Sequence, residues 1–167
     1  MNTAQKIQNI LQLLVEISPQ GYALGLNISL HSPRYLIQTY PQAWATEYAK
    51  DGLLLFDPTV VWAVSSTGHR QWSSFTTEQD PRQVLARAAS HGLKYGIVGS
   101  VHGESSHSLG GFARKDREFS EMEADQLLSL LTEIHHLTEP LDDLPSDLVD
   151  ALRQLSIRLS RNDHPLH

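Results

Sequence analysis

Two apolar-rich runs, Gly96 to His102 and Leu109 to Arg114, flank a Gly/Ser-rich stretch from Gly103 to Ser108. Six residues are too few for a crossover, so the two runs must pair antiparallel as a hairpin. The same geometry recurs near the N-terminus. Tyr22 to Leu30 alternates as a strand, His31-Ser32-Pro33-Arg34 turns the chain, and Tyr35 to Thr39 returns. Gly68 to Trp72 predicts an edge strand. Five strands organised this way exclude regular βαβ winding and call for an antiparallel sheet.

Helices fill the intervals. Ile7, Ile10, Leu11, Leu14 and Ile17 share one face of a first helix that stops before Pro19. Pro41 opens a short helix running to Lys50, with Asp51-Gly52 as its exit. Asp57-Pro58 and Asp80-Pro81 each pair an N-cap residue with a proline at the first helical position, predicting helices after both, the second reaching His91. Ser120-x-x-Glu123 is a capping box. It opens a long helix with Leu127, Leu130, Leu131, Ile134 and Leu137 on one stripe, closed before Pro140. Beyond an acidic linker, Glu139 to Ser146, the positions Leu148, Leu152, Leu155 and Leu159 predict one more amphipathic helix. The expected fold is α/β of the α+β type. A five-stranded antiparallel sheet lies between helices as an α/β/α, PAS/GAF-like sandwich.

Composition narrows the function. At 167 residues the chain holds one domain and little more. No cysteine is present, which removes disulfides, thiolate metal sites and cysteine nucleophiles together. No run reaches the ~18 apolar residues of a membrane span, and the N-terminus has no signal-peptide pattern. A cytoplasmic location is expected. Residues 1–114 carry 8 basic and 7 acidic side chains, whereas residues 115–167 carry 5 and 12. A nucleic-acid module shows a basic face, so this chain is not expected to bind DNA directly.

Chemistry concentrates between Tyr40 and Trp72. Tyr40, Trp44 and Tyr48 recur every four residues, and Asp57 stands inside an otherwise apolar stretch. A carboxylate there must cap a helix, be paired, or meet a donor on a ligand. From the residues alone, aromatic core packing and a simple Asp-Pro cap explain the pattern better than a binding site does.

The pattern as a whole resembles the autoinducer-binding domain of LuxR-type quorum-sensing regulators. The likeness rests on Y-P-x-x-W-x-x-x-Y from Tyr40 and on the D-P-T that begins at Asp57. Trp72 stands fifteen residues beyond Asp57. Ala88 to Gly96 and the hairpin from Val101 to Ala113 complete it. The resemblance implies a buried N-acyl-homoserine lactone and no cofactor. In that reading Trp44 donates its indole N–H to the lactone carbonyl, Asp57 accepts the ligand amide N–H, and Tyr40 donates to the acyl carbonyl. Tyr48, Trp72 and Val60 wall the pocket, with the Thr59 hydroxyl nearby. Asp is acceptor-only when ionised and Trp donor-only, so these roles are not interchangeable. Ala113 stands where many members carry a Ser or Thr hydroxyl, and Gly99-Ser100 where they often carry proline.

The resemblance places the autoinducer-binding domain at 1–138. Residues 139–167 are expected to be a linker and a C-terminal amphipathic helix, without a helix-turn-helix DNA-binding domain. The expectation is either an excised sensor or a truncated regulator. It would act as a homodimer, or by heterodimerising with a full-length LuxR-type regulator, or by sequestering the lactone. Catalysis is not expected: Ser105-Ser106-His107 lacks a nucleophile elbow, and Gly110-Gly111 lacks the helix of a phosphate loop. Nor is a metal, because His135 and His136 are adjacent and so project from different helical faces. The competing reading is an orphan PAS/GAF-like sensor, or a small enzyme, for another hydrophobic metabolite.

Overall fold

The computed structural model describes residues 1–30 and 32–140. The predicted helix at Leu148 to Leu159 and most of the linker lie outside them. Five strands, β1 (Tyr22–Ile28), β2 (Tyr35–Gln38), β3 (Gly68–Gln71), β4 (Tyr95–His102) and β5 (His107–Arg114), form one sheet in the order β2-β1-β5-β4-β3. Every neighbouring pair is antiparallel. The last strand in sequence is therefore the central one in space. β3 is an edge, as the sequence predicts.

Helices α1 (Thr3–Ile17), α2 (Gln42–Lys50), α3 (Pro58–Ser65), α4 (Val84–Ala89) and α5 (Glu121–Thr138) cover the sheet. Two apolar clusters form. One joins Ile7, Leu11 and Leu14 of α1 and Leu127, Leu131 and Ile134 of α5 to Leu24, Ile97 and Phe112 of the sheet. The other joins Trp44, Leu53, Ala63, Trp72, Val84 and Leu93 to Val98 and Ala113. Ile97 and Val98 are neighbours on β4, and successive side chains on a strand point to opposite faces. The two clusters therefore lie on opposite sides of the sheet.

Local chemistry sets the element ends. The Ser120–Glu123 box forms: the Glu123 N–H donates to Ser120 Oγ at 3.1 Å, and the Ser120 N–H donates to Glu123 Oε1 at 2.8 Å. Asn2 and Gln5 make a second box at the start of α1. Gly52 takes a left-handed φ of +62° just past α2, a conformation that glycine adopts without steric cost. The helix expected directly after Asp80-Pro81 instead begins at Val84. Gln83 intervenes with φ +54°, yet Asp80 still caps, accepting the N–H groups of Val84 and Leu85 at 2.8 and 3.0 Å. The hairpin is tighter than expected. β5 starts at His107, and the turn closes where the Gly103 N–H donates to Ser106 O at 2.8 Å. A 3-10 turn over Leu53–Phe56, unassigned from sequence, links α2 to Asp57.

Glu123 also takes a forked pair of bonds from Arg117, at 2.7 and 3.0 Å. That guanidinium first, then the Ser120 amide, lowers its carboxyl from 4.5 to about 2. A carboxylate with a depressed folded pKa stabilises the fold above its unfolded pKa and loses that contribution as pH falls through the folded one. Glu123→Gln should therefore melt below the native chain at neutral pH. The difference should close between pH 4.5 and pH 2, as followed by circular dichroism melts.

Candidate functional site

The aromatic pair expected on α2 shares one face. The Trp44 and Tyr48 rings meet edge to face, with centroids 5.6 Å apart at 69°. Trp44 is buried. Behind it lies His91, its ring 5.5 Å away. Glu47 sits 2.9 Å from His91 Nε2 and accepts from Arg87 Nε at 2.8 Å, and Arg87 also reaches Asp51. These charges tie α2 to α4 and fix the helix that carries Trp44.

Asp57 caps α3 and does more than cap. Its Oδ1 accepts the Thr59 N–H at 2.9 Å and the Thr59 hydroxyl at 2.7 Å, while Oδ2 accepts the Tyr48 hydroxyl at 2.7 Å. The residue is only 8% exposed. Burial raises its pKa from the ordinary carboxylate value, opposed by the bonds from Thr59 and Tyr48 and by the Val60 amide. Burial likewise pushes the Tyr40 and Tyr48 hydroxyls well above the usual phenol range, with Asp57 adding to the effect. Both tyrosines stay protonated, and Tyr48 donates to Asp57. An ionised carboxylate offers about four acceptor positions. Thr59 supplies the donors to Oδ1 and Tyr48 the donor to Oδ2, with the Val60 amide adding to them.

The floor of this region is made of small residues. A Cβ on Gly96 would fall 2.0 Å from Trp72 Cδ2, so the indole lies directly on the β4 backbone. A Cβ on Gly111 would fall 2.8 Å from Tyr40 Oη and 3.7 Å from Trp72 Cζ2. Ala113, fully buried, pairs with Gly96 across the two strands. Tyr40, Trp44, Tyr48, Trp72 and Ala113 thus meet in one apolar cluster, joined to Asp57 and Thr59 through the Tyr48 hydroxyl. Val60 is half-buried on α3 outside that cluster.

Trp72 also carries a feature its expected role as a wall does not include. Its Nε1 is buried without a hydrogen-bond partner among the described residues. A buried donor left unpaired costs about 1–3 kcal/mol, so an acceptor brought against it would be stabilised there. Leu53, Ala63, Leu93 and Val98, further members of the cluster, have no distinguishing signal in sequence. On the outer side of α3 an open groove of about 230 Å³ is lined by Pro58, Val61, Trp62, Ser65, Arg70, Phe75 and Gln79. None of the expected site residues lines it. The Arg70 guanidinium stacks over the Phe75 ring at 3.9 Å along its side.

Residues 11–138 match the family model described as "Autoinducer binding domain". No curated protein matches the chain by sequence. Among solved structures, SdiA in complex with octanoyl-rac-glycerol is similar at a TM-score of 0.65 and 22% identity, over 86% of this chain and 62% of that one. A second structure, of Escherichia coli SdiA, gives 0.57 and 18%, over 99% and 66%. The N-acylhomoserine lactone dependent LuxR family factor CepR2 from Burkholderia cenocepacia gives 0.55 and 17%, over 83% and 95%. At these identities the likeness is one of fold. The chain spans less than two thirds of the first SdiA structure.

The Gly96 contact generates a prediction about the floor. Gly96→Ala must displace the Trp72 indole or bend β4, an overpacking cost of about 1–3 kcal/mol. A lower melting temperature together with a shifted tryptophan fluorescence spectrum is the expected outcome. An unchanged spectrum would mean that the indole does not rest on Gly96.

Proposed function

The chain belongs to the autoinducer-binding domain family, matched over residues 11–138, and we propose that it senses an N-acyl-homoserine lactone on the Trp44–Trp72 face of its sheet. The observation that carries this reading is the buried Asp57 carboxylate. The Tyr48 hydroxyl joins it to the apolar cluster that also holds Tyr40 and the unpartnered Trp72 N–H. A lactone amide brings one donor and several acceptors, and a buried site needs a partner for each. Asp57 takes the amide N–H, Trp44 the lactone carbonyl and Tyr40 the acyl carbonyl. Trp72, Tyr48, Thr59, Val60 and Ala113 surround them. With Ala113 adding no hydroxyl, Tyr40 and Trp72 are left as the donors nearest the small-residue floor.

The family is a ligand-binding regulatory one, and the proposed role is sensing without catalysis and without a cofactor. Two of the similar structures bear on the ligand class. CepR2 is described as dependent on N-acylhomoserine lactone, and one SdiA structure holds octanoyl-rac-glycerol. Both ligands join an acyl chain to a small polar head. The proposed site belongs in the cytoplasm. Among the described residues no helix is long and apolar enough to cross a membrane. The proposed partners are the autoinducer and a second subunit, either a copy of this chain or a full-length LuxR-type regulator. In the second pairing the chain dampens quorum-sensing transcription. Co-expression with such a regulator and a reporter tests this: output should fall at limiting lactone.

Asp57→Asn tests the ligand assignment. Asparagine caps a helix as well as aspartate does, and its amide can donate to the Tyr48 oxygen in place of the bond Oδ2 now accepts, so the ligand-free melting temperature should change little. Replacing the charged acceptor removes a bond of about 1.5–3 kcal/mol, lowering lactone affinity about 10- to 100-fold by calorimetry. Octanoylglycerol in a parallel titration separates the two head groups, and unchanged affinity for both would leave Asp57 a cap alone. Trp44→Phe and Trp72→Phe retain most of the apolar contact. Each should shrink the lactone-induced rise in melting temperature, which for the native chain corresponds to about 2.7 kcal/mol at a hundredfold excess over Kd.

A further inference from the structure

On the opposite side of the sheet from the proposed ligand face, the end of α5 holds side chains that sensing does not use. His135 is fully buried, at 0% side-chain exposure. Its Nδ1 lies 2.6 Å from Ser108 Oγ, the same oxygen that accepts the Asn27 N–H at 2.9 Å. Its Nε2 is buried and lacks a hydrogen-bond partner among the described residues. The nearest charge to Nε2 is Glu139, whose Oε2 is 3.4 Å away, and Glu139 Oε1 in turn lies 4.0 Å from His136 Nδ1.

These separations fit an ion better than a hydrogen bond. An N–H···O bond spans about 2.7–3.2 Å, whereas two ligand atoms about 2.1 Å from a tetrahedral zinc ion stand about 3.4 Å apart. One ligand atom from each of His135, His136 and Glu139 lies within 4.8 Å of the others. Helical spacing explains how adjacent histidines share a partner despite leaving the helix in different directions. Glu139 is i+4 from the first and i+3 from the second, both of which are neighbours on a helix surface. The two rings touch edge to face at 5.3 Å. Gly103 in the β4–β5 turn passes over the group. A Cβ there would lie 3.0 Å from His135 Nε2 and 3.1 Å from both Glu139 Oε2 and Ser106 O, so the missing side chain keeps that space open.

We propose that His135, His136 and Glu139 form a binding site for a divalent transition-metal ion of the zinc type, set under the β4–β5 turn. His135 Nε2 and the Glu139 carboxylate bind first, because they already stand at the tetrahedral spacing. His136, 65% exposed, swings in as the third ligand, and water takes the fourth position. With Nε2 on the ion, His135 Nδ1–H donates to Ser108 Oγ, the kind of bond that fixes the ring of a metal-ligating histidine. The ion would brace the last turn of α5 beneath the hairpin, where His135 already meets Ser108. A second acidic group, His69 with Glu121 and Asp125, differs. Its His69 Nε2 is already engaged by Asp125 Oδ1 at 2.9 Å, and its carboxylates are open to solvent.

The test is titration of the full chain with Zn²⁺ alone and Co²⁺ alone, by calorimetry and visible absorption. The expected result is one ion per chain, a tetrahedral cobalt spectrum and a raised melting temperature. His136→Ala and Glu139→Gln, both at exposed or half-exposed positions, should each weaken binding at least tenfold, the minimum cost even of losing a residue that merely orients a ligand. His69→Ala should leave it unchanged. Buried His135 stays in place, so that loss of binding is not confused with loss of fold. No binding, equal binding in all variants, or loss only in His69→Ala would each overturn the proposal.

Discussion

A single buried carboxylate joins the helices on one side of this sheet. Asp57 ends the 3-10 turn that follows α2, caps α3, and accepts the hydroxyl of Tyr48 back from α2. Burial makes its charge costly, and the surrounding donors offset that cost only in part, which is why its pKa rises rather than falls. The arrangement is coherent only if the phenols stay protonated, and the same burial ensures that they do. This junction sets Thr59 on α3 and, together with the Glu47–Arg87 pair, the helix that carries Trp44.

The junction would be useless above an ordinary strand pair. Gly96, Gly111 and Ala113 keep β4 and β5 bare where Trp72 and Tyr40 lie, so the aromatic rings approach the backbone itself. Side chains of ordinary size at these three positions would fill the space with protein. Small residues beneath large rings are what give the region both its close fit and its unpaired indole donor.

Much of this was legible in the chain. Period-two and period-3.6 patterns located the strands and the longer helices. The D-P signal at Asp57 and the Ser120–Glu123 box set two helix starts correctly, because each is a local contest between side chain and backbone. The signal at Asp80 gave the cap but not the start, since Gln83 takes a left-handed conformation that no residue type announces. Tyr40, Trp44 and Tyr48 were legible as a set through their spacing and the family likeness. The free donor on Trp72 was not, because it depends on Gly96 lying opposite in space. Nor were the convergent His135 and His136, since helical angles alone sent them apart while Glu139 stood within reach of both.

The strand order β2-β1-β5-β4-β3 has a kinetic corollary. Strands β1 and β2 can pair early, and so can β3 and β4, but nothing joins the two halves until His107–Arg114 inserts between them. Contacts so distant in sequence form slowly, because loop closure must precede their reward. Until residue 114 has left the ribosome, each half presents an inner edge with unpaired N–H and C=O groups, a template for the wrong partner. Floor and aromatic roof of the proposed pocket also come from opposite sides of that delay. A newly made chain therefore acquires its sheet and its binding face in the same late step.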